Sequence, residues 1–333
     1  MTGTAGRRTL VVVTDDRFGD TDLERAVLEP AGVELLVAKC RSSADVAAAG
    51  AEADALLVNL APVDASAIEA LGRCRVISRY GTGLDNIDVE AARRRGIAVR
   101  GVQGYCDAEV AEHALALLLS CARGLALRDR GVRERLWDLR PFGRRVRGTT
   151  LGILGFGGTA RSFARAALGL GFREILVWSP HISSGRIAEA LGAASEACGT
   201  AVRPAGFDEL LAAADWISLH LPLKAETRGI LGAPQLAAMK RDAVIVNVSR
   251  GALVDEEALA SALAEGALGG AGLDVFSVEP LPAGSRLRSL RNVVLSDHSA
   301  YASRESIAEL RRRAAENVLE ELRSGTLSPA AAP

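Results

Sequence analysis

The chain has 333 residues, more than one hydrophobic core usually fills, since domains commonly run to roughly 100–200 residues, so two lobes are expected. Apolar residues make up 49% and charged residues 24%, close to soluble globular averages, which excludes a disordered or fibrous chain. With 40 basic residues against 41 acidic ones the net charge is -1, so no global field draws the chain to nucleic acid or to an anionic membrane surface.

Met1 to Arg8 leads into Thr9–Val13, an apolar segment too short for a signal peptide and lacking its small-residue cleavage site, so no export is expected. Short β-branched runs then alternate with helical stretches: a strand at Leu10–Val13, a helix over Asp22–Ala31, then strands at Val33–Val37 and Ala55–Val58. Uninterrupted apolar strands between helices point to α/β architecture, a parallel sheet covered on both faces. Ala108–Arg123 has the length and apolar spacing of a buried helix and is the expected connection, and hinge candidate, between the lobes. Its run Ala114–Leu119 is the longest apolar run and falls far short of the roughly 20 residues that span a bilayer. Arg123 to Arg147 carries nine arginines, interleaved with Asp129, Glu134, Asp138, Trp137 and Phe142. A nucleic-acid patch reads this way, but the interspersed acids and apolar residues favour an arm that packs on a neighbouring subunit.

A second strand series runs through Leu151–Leu154, Ile175–Trp178, Trp216–Leu219, Ala243–Val246 and Val293–Leu295. The amphipathic stretch Ser303–Leu322 follows the last strand and is expected to pack back on the first lobe, while Ala331–Pro333 should be frayed. The predicted domains are therefore 1–103 plus 301–333, discontinuous, and 104–300. Five scattered cysteines, Cys40, Cys74, Cys106, Cys121 and Cys198, form no CxxC pair. Neither a disulfide framework nor a metal site is suggested, and a reducing, cytoplasmic compartment is expected.

Leu151 to Leu154 is followed by Gly155-Phe156-Gly157-Gly158-Thr159-Ala160 and then by a helix through Leu168, the GxGxxA form of a dinucleotide fingerprint. Glycines keep the turn tight and let backbone approach a pyrophosphate, and the helix N-terminus supplies unpaired N–H groups. Alone, GxGxxG is weak, but strand, helix and second strand stand where the fingerprint requires them. Some twenty residues on, an NAD site carries an acid that binds the ribose hydroxyls, and this chain has Ser179 there. Without that carboxylate a 2′-phosphate is not repelled, and His181, Ser183, Ser184 and Arg186 could bind one. NAD and NADP both stay open.

Three further segments follow in order: Val246-Asn247-Val248-Ser249-Arg250-Gly251-Ala252-Leu253-Val254-Asp255, Gly272 to Pro280 containing Asp274 and Glu279, and Ser296-Asp297-His298-Ser299-Ala300. Together with Ser78 to Asp88, Val110-Ala111-Glu112-His113 and His220-Leu221-Pro222-Leu223 they resemble the D-2-hydroxyacid dehydrogenases over nearly the whole chain. They are most similar to the C-terminal-binding-protein-like and phosphoglycerate-dehydrogenase-like branch. The resemblance implies two Rossmann-like, doubly wound parallel-sheet domains, one flavodoxin-like and one dinucleotide-binding, with the active site in the cleft between them and a homodimer formed through the second.

It implies NAD(P)-dependent interconversion of a 2-oxoacid and a D-2-hydroxyacid. Arg250 binds and polarises the substrate, His298 is the acid/base, and Glu279 pairs with it. Asp274 lies beside the nicotinamide, and the cofactor further meets Gly155, Gly157, Gly158, Thr159, Ala160, Ser179, His220, Pro222, Thr227, Val248 and Ser249. Arg79, Gly81, Thr82, Gly83 and Tyr301 join Arg250 and His298 around the substrate, the loop Gly81–Gly83 through backbone N–H groups. The chemistry fits: arginine's planar fork holds a carboxylate bidentately, and a carboxylate beside a histidine favours its protonated form. Taken singly, Arg250 reads equally as a surface helix-cap or salt-bridge residue, Glu279 as a solvated loop acid and His298 as a buried structural histidine; together, in family order, they read as the catalytic set. His113 reads as a satisfied helix residue.

The family usually has proline before the catalytic histidine, whereas Asp297 stands here. It either points to solvent or raises the pKa of His298 further. Nicotinamide-binding transcriptional co-repressors of the same branch suggest a second function, a dinucleotide-sensing scaffold whose output is dimerisation. The complete Arg250, Glu279, His298 set favours catalysis. The regulatory domain of long phosphoglycerate dehydrogenases is not expected after the closing helix, and the sequence does not name the acid.

Overall fold

The computed structural model describes residues 7–137 and 143–324; Asp138 and Phe142 of the arginine-rich stretch, and Ala331–Pro333, lie outside the described residues. The chain divides into two compact units, Met1–Tyr105 with Ser303–Pro333, and Cys106–Ala302.

In the first unit β1 (Thr9–Val13), β2 (Val33–Val37), β3 (Ala55–Val58), β4 (Val76–Arg79) and β5 (Ala98–Arg100) form an all-parallel sheet in the order β2-β1-β3-β4-β5. This flavodoxin-like order reverses beside β1, so helical crossovers cover both faces. Central β3 is accordingly buried along its whole length, whereas edge strand β2 leaves Glu34, Leu36 and Val37 exposed. The helix Arg304–Ser324 packs on the helix Asp22–Leu28 and on β3, β4 and β5, so the unit is assembled from both ends of the chain. Its anchor is Arg311, only 5% exposed, which donates to Glu24 Oε1 at 2.9 Å, Glu24 Oε2 at 2.8 Å and Asp20 Oδ1 at 2.7 Å. Ser78 in β4 donates to the Ala314 carbonyl at 2.9 Å, which gives this buried hydroxyl its partner.

In the second unit β6 (Thr150–Leu154), β7 (Glu174–Trp178), β8 (Ala201–Pro204), β9 (Trp216–Leu219), β10 (Val244–Asn247), β11 (Gly270–Leu273) and β12 (Val293–Leu295) form an all-parallel sheet. Its order, β12-β11-β10-β9-β6-β7-β8, is that of a Rossmann sheet and reverses between β6 and β9, the place where such folds bind nucleotides. β4, β5, β8 and β11 are not among the strands expected from the sequence. The helix Asp107–Arg123 buries Val110, Ala114, Leu117 and Leu118 and lies against β10, β11 and the helix Gly158–Leu168. It comes so close that a Cβ on Gly272 would stand 2.8 Å from Leu117 Cβ. Among the described residues no single helix is long and apolar enough to cross a membrane.

Candidate active site

The turn after β6 stands at the switch point of the second sheet. Gly155 has φ +102°, and a Cβ there would lie 2.3 Å from the His220 carbonyl oxygen, so glycine is required. A Cβ on Gly158 would lie 2.0 Å from Asp107 Oδ2. Gly157 differs: its φ of -76° suits any residue, and its Cβ would meet nothing within 4 Å. The following helix, Gly158–Leu168, begins with no side-chain cap and no acid in its first turn, which leaves N–H groups and the positive end of the dipole for an anion. Thr159 is half-buried in that turn, and Ala160, fully buried, seats the helix on the sheet.

At the neighbouring strand end, His220 Nε2 lies 2.9 Å from Ser218 Oγ, and its buried Nδ1 has no partner. Burial pushes this histidine down to about 3, so it is neutral. A bare backbone cradle, an uncapped helix start and an unmet ring nitrogen at one strand edge fit a dinucleotide. Thr227 shapes the same rim: its hydroxyl donates to the Pro222 carbonyl at 2.7 Å and accepts from Lys224 N–H at 2.8 Å. After β7, the Ser179 carbonyl accepts from Ile182 N–H at 3.1 Å, Ser183 caps the helix Ser184–Cys198, and Arg186 donates to the His181 carbonyl at 3.3 Å. Residues 179–188 contain no acid.

The catalytic candidates come from loops at the same end of the sheet. After β10, Asn247 Nδ2 donates to the Arg250 carbonyl at 2.9 Å, Asn247 Oδ1 accepts Ser249 N–H at 3.1 Å, and Ser249 Oγ donates to the Leu219 carbonyl at 2.8 Å. Val248, buried between them, completes this turn. Gly251 sits so tightly on the next loop that a Cβ would lie 1.9 Å from the Phe276 carbonyl carbon. That contact sets Arg250 beside the segment carrying Glu279, whose carboxylate its charge stabilises. His298 Nδ1 donates to Glu279 Oε2 at 2.7 Å, and Glu279 Oε1 accepts Phe276 N–H at 2.9 Å. Burial acts to raise the Glu279 carboxyl, but the bonds from His298 and Phe276 and the nearby Arg250 outweigh it and hold it below its ordinary range. The structure thus gathers Arg250, Glu279 and His298, with the Tyr301 ring edge-on to His298 at 6.4 Å between centroids. Asp297 is exposed to solvent.

Asp274, expected beside a nicotinamide, is fully buried. Its Oδ1 accepts from Ser296 Oγ at 2.6 Å and Ser299 N–H at 3.0 Å, and its Oδ2 from Ala300 N–H at 2.9 Å. Burial acts to raise this carboxyl, but its bonds to His113, Ser296 and the loop amides win and bring it to about 2. Asn247, Ser296 and His113 are members of these networks that sequence reasoning did not select. No local pattern links His113 to Ser296, 183 positions away.

In the first unit the loop after β4 is built on Gly81, whose φ is +146° and whose Cβ would lie 1.9 Å from Arg79 Nη1. Arg79 Nε donates to the Asn59 carbonyl at 3.3 Å, and Thr82 Oγ1 donates to the Val102 carbonyl at 2.9 Å. The Gly81 carbonyl accepts from Val102 N–H at 2.9 Å, which fixes the path into Thr82 and Gly83.

The family model for the D-isomer specific 2-hydroxyacid dehydrogenase, NAD binding domain, matches residues 115–300. A glyoxylate reductase of Korarchaeum cryptofilum is 40% identical over 274 residues, 80% of this chain and 79% of that protein. A D-3-phosphoglycerate dehydrogenase of Mycobacterium leprae is 39% identical over 278 residues, 83% of this chain but 50% of its own length. Among solved structures, a glyoxylate reductase from Paecilomyes thermophila superposes with a TM-score of 0.84 at 28% identity, covering 97% of this chain and 98% of that one. Matching motifs, both parallel sheets and these relatives agree: the chain belongs to the D-isomer specific 2-hydroxyacid dehydrogenase family.

Proposed function

We propose that this nicotinamide-dependent 2-hydroxyacid oxidoreductase interconverts a small 2-oxoacid and its D-2-hydroxyacid, with His298 as acid/base, Glu279 as its partner and Arg250 holding the substrate. The observation that carries the assignment is the 2.7 Å bond from His298 Nδ1 to Glu279 Oε2, with Arg250 set beside that carboxylate. Glu279 is held ionised and accepts the Nδ1 proton, so the ring is fixed with Nε2 as its working nitrogen. In the reducing direction Nε2 gives its proton to the carbonyl oxygen as negative charge builds there. Arg250 neutralises the substrate's carboxylate and polarises that carbonyl. When bound, the cofactor supplies the hydride for the carbonyl carbon; its pyrophosphate belongs at Gly155 to Ala160, and His220, Pro222, Thr227, Val248 and Ser249 are further residues proposed to hold the cofactor. Arg79, Gly81, Thr82 and Gly83 are proposed for the substrate's carboxylate and side chain, and Tyr301 limits that side chain to a modest size.

On the ribose side, Ser179 with Arg186 and an acid-free segment favours acceptance of a 2′-phosphate. Comparing KM for NADH and NADPH tests this, and a large preference for NADH refutes it. The exposed Leu125, Val132, Leu136 and Trp137 along and after the helix Leu125–Arg133 support a homodimer formed through the dinucleotide-binding unit. The chemistry is tested by following nicotinamide oxidation with glyoxylate, pyruvate and hydroxypyruvate. Turnover with at least one is expected, and His298→Ala should lower it by roughly 10²–10⁴-fold. Unchanged turnover in His298→Ala refutes the acid/base assignment, and no turnover of any 2-oxoacid by the parent chain favours the scaffold.

A further inference from the structure

His298 has φ +56°, a left-handed backbone that is strained for a residue with a Cβ. Such a conformation persists only where its surroundings impose it. Here Asp274 imposes it. Its carbonyl accepts His298 N–H at 2.8 Å, and its carboxylate takes the next two amides of the loop, Ser299 at 3.0 Å and Ala300 at 2.9 Å. The same carboxylate takes Ser296 Oγ, just before the loop, at 2.6 Å.

Asp274 is in turn held from the helix side. His113 Nε2 lies 2.8 Å from Ser296 Oγ and 3.3 Å from Asp274 Oδ1. A serine hydroxyl has one proton. Ser296 gives that proton to the carboxylate, so its oxygen accepts from His113, and His113 Nε2 must carry hydrogen. His113 rides on the helix Asp107–Arg123, whose neighbouring Val110, Ala114 and Leu117 are buried, so the donor is presented from a rigid base.

Resting on the acid/base assignment of His298, we propose that His113, with Ser296 and Asp274, is a positioning residue: it holds the His298 backbone in the left-handed conformation that keeps its ring on Glu279. The Ser296 oxygen that takes the His113 hydrogen belongs to the hydroxyl bonded to the buried Asp274 charge, so removing the His113 donor should lower kcat by about tenfold, with KM for the cofactor little changed.

The test is a double-mutant cycle on reduction of glyoxylate by NADH, joined to a readout that needs no turnover. His113→Leu should lower kcat about tenfold in the parent chain and cause no further loss in the His298→Ala background, because it acts through that ring; His113→Gln, which keeps a donor, should recover most of the loss. In the ligand-free protein, the NMR signal of the His298 ring proton bonded to Glu279, identified by its disappearance in His298→Ala, should be lost in His113→Leu and kept in His113→Gln. Equal losses in both backgrounds, or an unchanged ring-proton signal in His113→Leu, overturns the proposal. Should His113→Leu not fold, Ser296→Ala carries the same cycle and the same spectrum. Failure of the acid/base assignment shows separately, as full turnover in His298→Ala alone.

Discussion

Two glycines of the dinucleotide turn should respond in opposite ways to the same added methyl group. At Gly157 the backbone, φ -76°, suits alanine and the new Cβ meets nothing within 4 Å. Replacing glycine there removes unfolded-state entropy worth about 0.4–1 kcal/mol. Alanine is also a poorer N-cap, which cancels much of that gain, so the net change in stability should stay within about 0.5 kcal/mol. With the cofactor's pyrophosphate placed on this turn as proposed above, the methyl group takes up its space, and a loss of about 1.4 kcal/mol there weakens binding tenfold. At Gly155, φ +102° and a Cβ 2.3 Å from the His220 carbonyl oxygen leave alanine no relaxed place. The strain alone is about 1–3 kcal/mol, before the clash is counted. Calorimetric titration with NADH and NADPH, beside thermal unfolding, separates the two effects. Gly157→Ala should melt with the parent chain and bind cofactor at least about tenfold more weakly, whereas Gly155→Ala should melt earlier. Parent-like cofactor affinity in a folded Gly157→Ala protein would show that the bare backbone at this turn is not the cradle.

Removing Arg311 strands Glu24, a carboxylate only 1% exposed. Arg311→Ala should therefore cost about 3–5 kcal/mol in urea unfolding, and Arg311→Met combined with Glu24→Gln should recover much of it; a loss below about 1 kcal/mol would mean that this pair does not anchor the closing helix. Acid should act through Asp274, whose carboxyl lies at about 2 in the fold against an ordinary 3.8. A depressed carboxyl stabilises the fold above its unfolded value and loses that contribution as pH falls through its folded value, so about 2 kcal/mol should disappear between pH ~4 and ~2. Asp274→Asn should flatten that part of the urea-midpoint curve, and an unchanged slope would contradict it.

What the sequence revealed and what it hid follow from where each constraint resides. The turn at Gly155 to Ala160 and the residues Arg250, Glu279 and His298 were legible because their chemistry admits few residue types and the motifs follow one another in order. The missed strands lack the usual signal for physical reasons. β11 reads Gly-Ala-Gly-Leu because a Cβ at Gly270 would meet the Asn292 carbonyl oxygen at 2.8 Å and one at Gly272 would meet Leu117. β8 is an edge strand ending in proline, β5 is only 3 residues long, and β4 is interrupted by Ser78, whose partner is Ala314, 236 positions away.

The same reasoning applies to Asp274 and His113. A sequence motif marks which residue types stand near a reacting centre, but not which of them face it. Asp274 falls in a family segment that implies a place beside the nicotinamide, and the structure adds what the motif does not show, that its oxygens accept from Ser296, Ser299 and Ala300 inside the protein. His113 lies on an apolar helix and so reads as satisfied, which it is, but by the residues that govern the backbone of His298. A half-buried histidine that merely fills its bonds and one that sets the geometry of a catalytic loop look identical along the chain. They differ only in what their partners hold, and here the Ser296–Asp274 pair holds the loop whose φ of +56° at His298 has no local support.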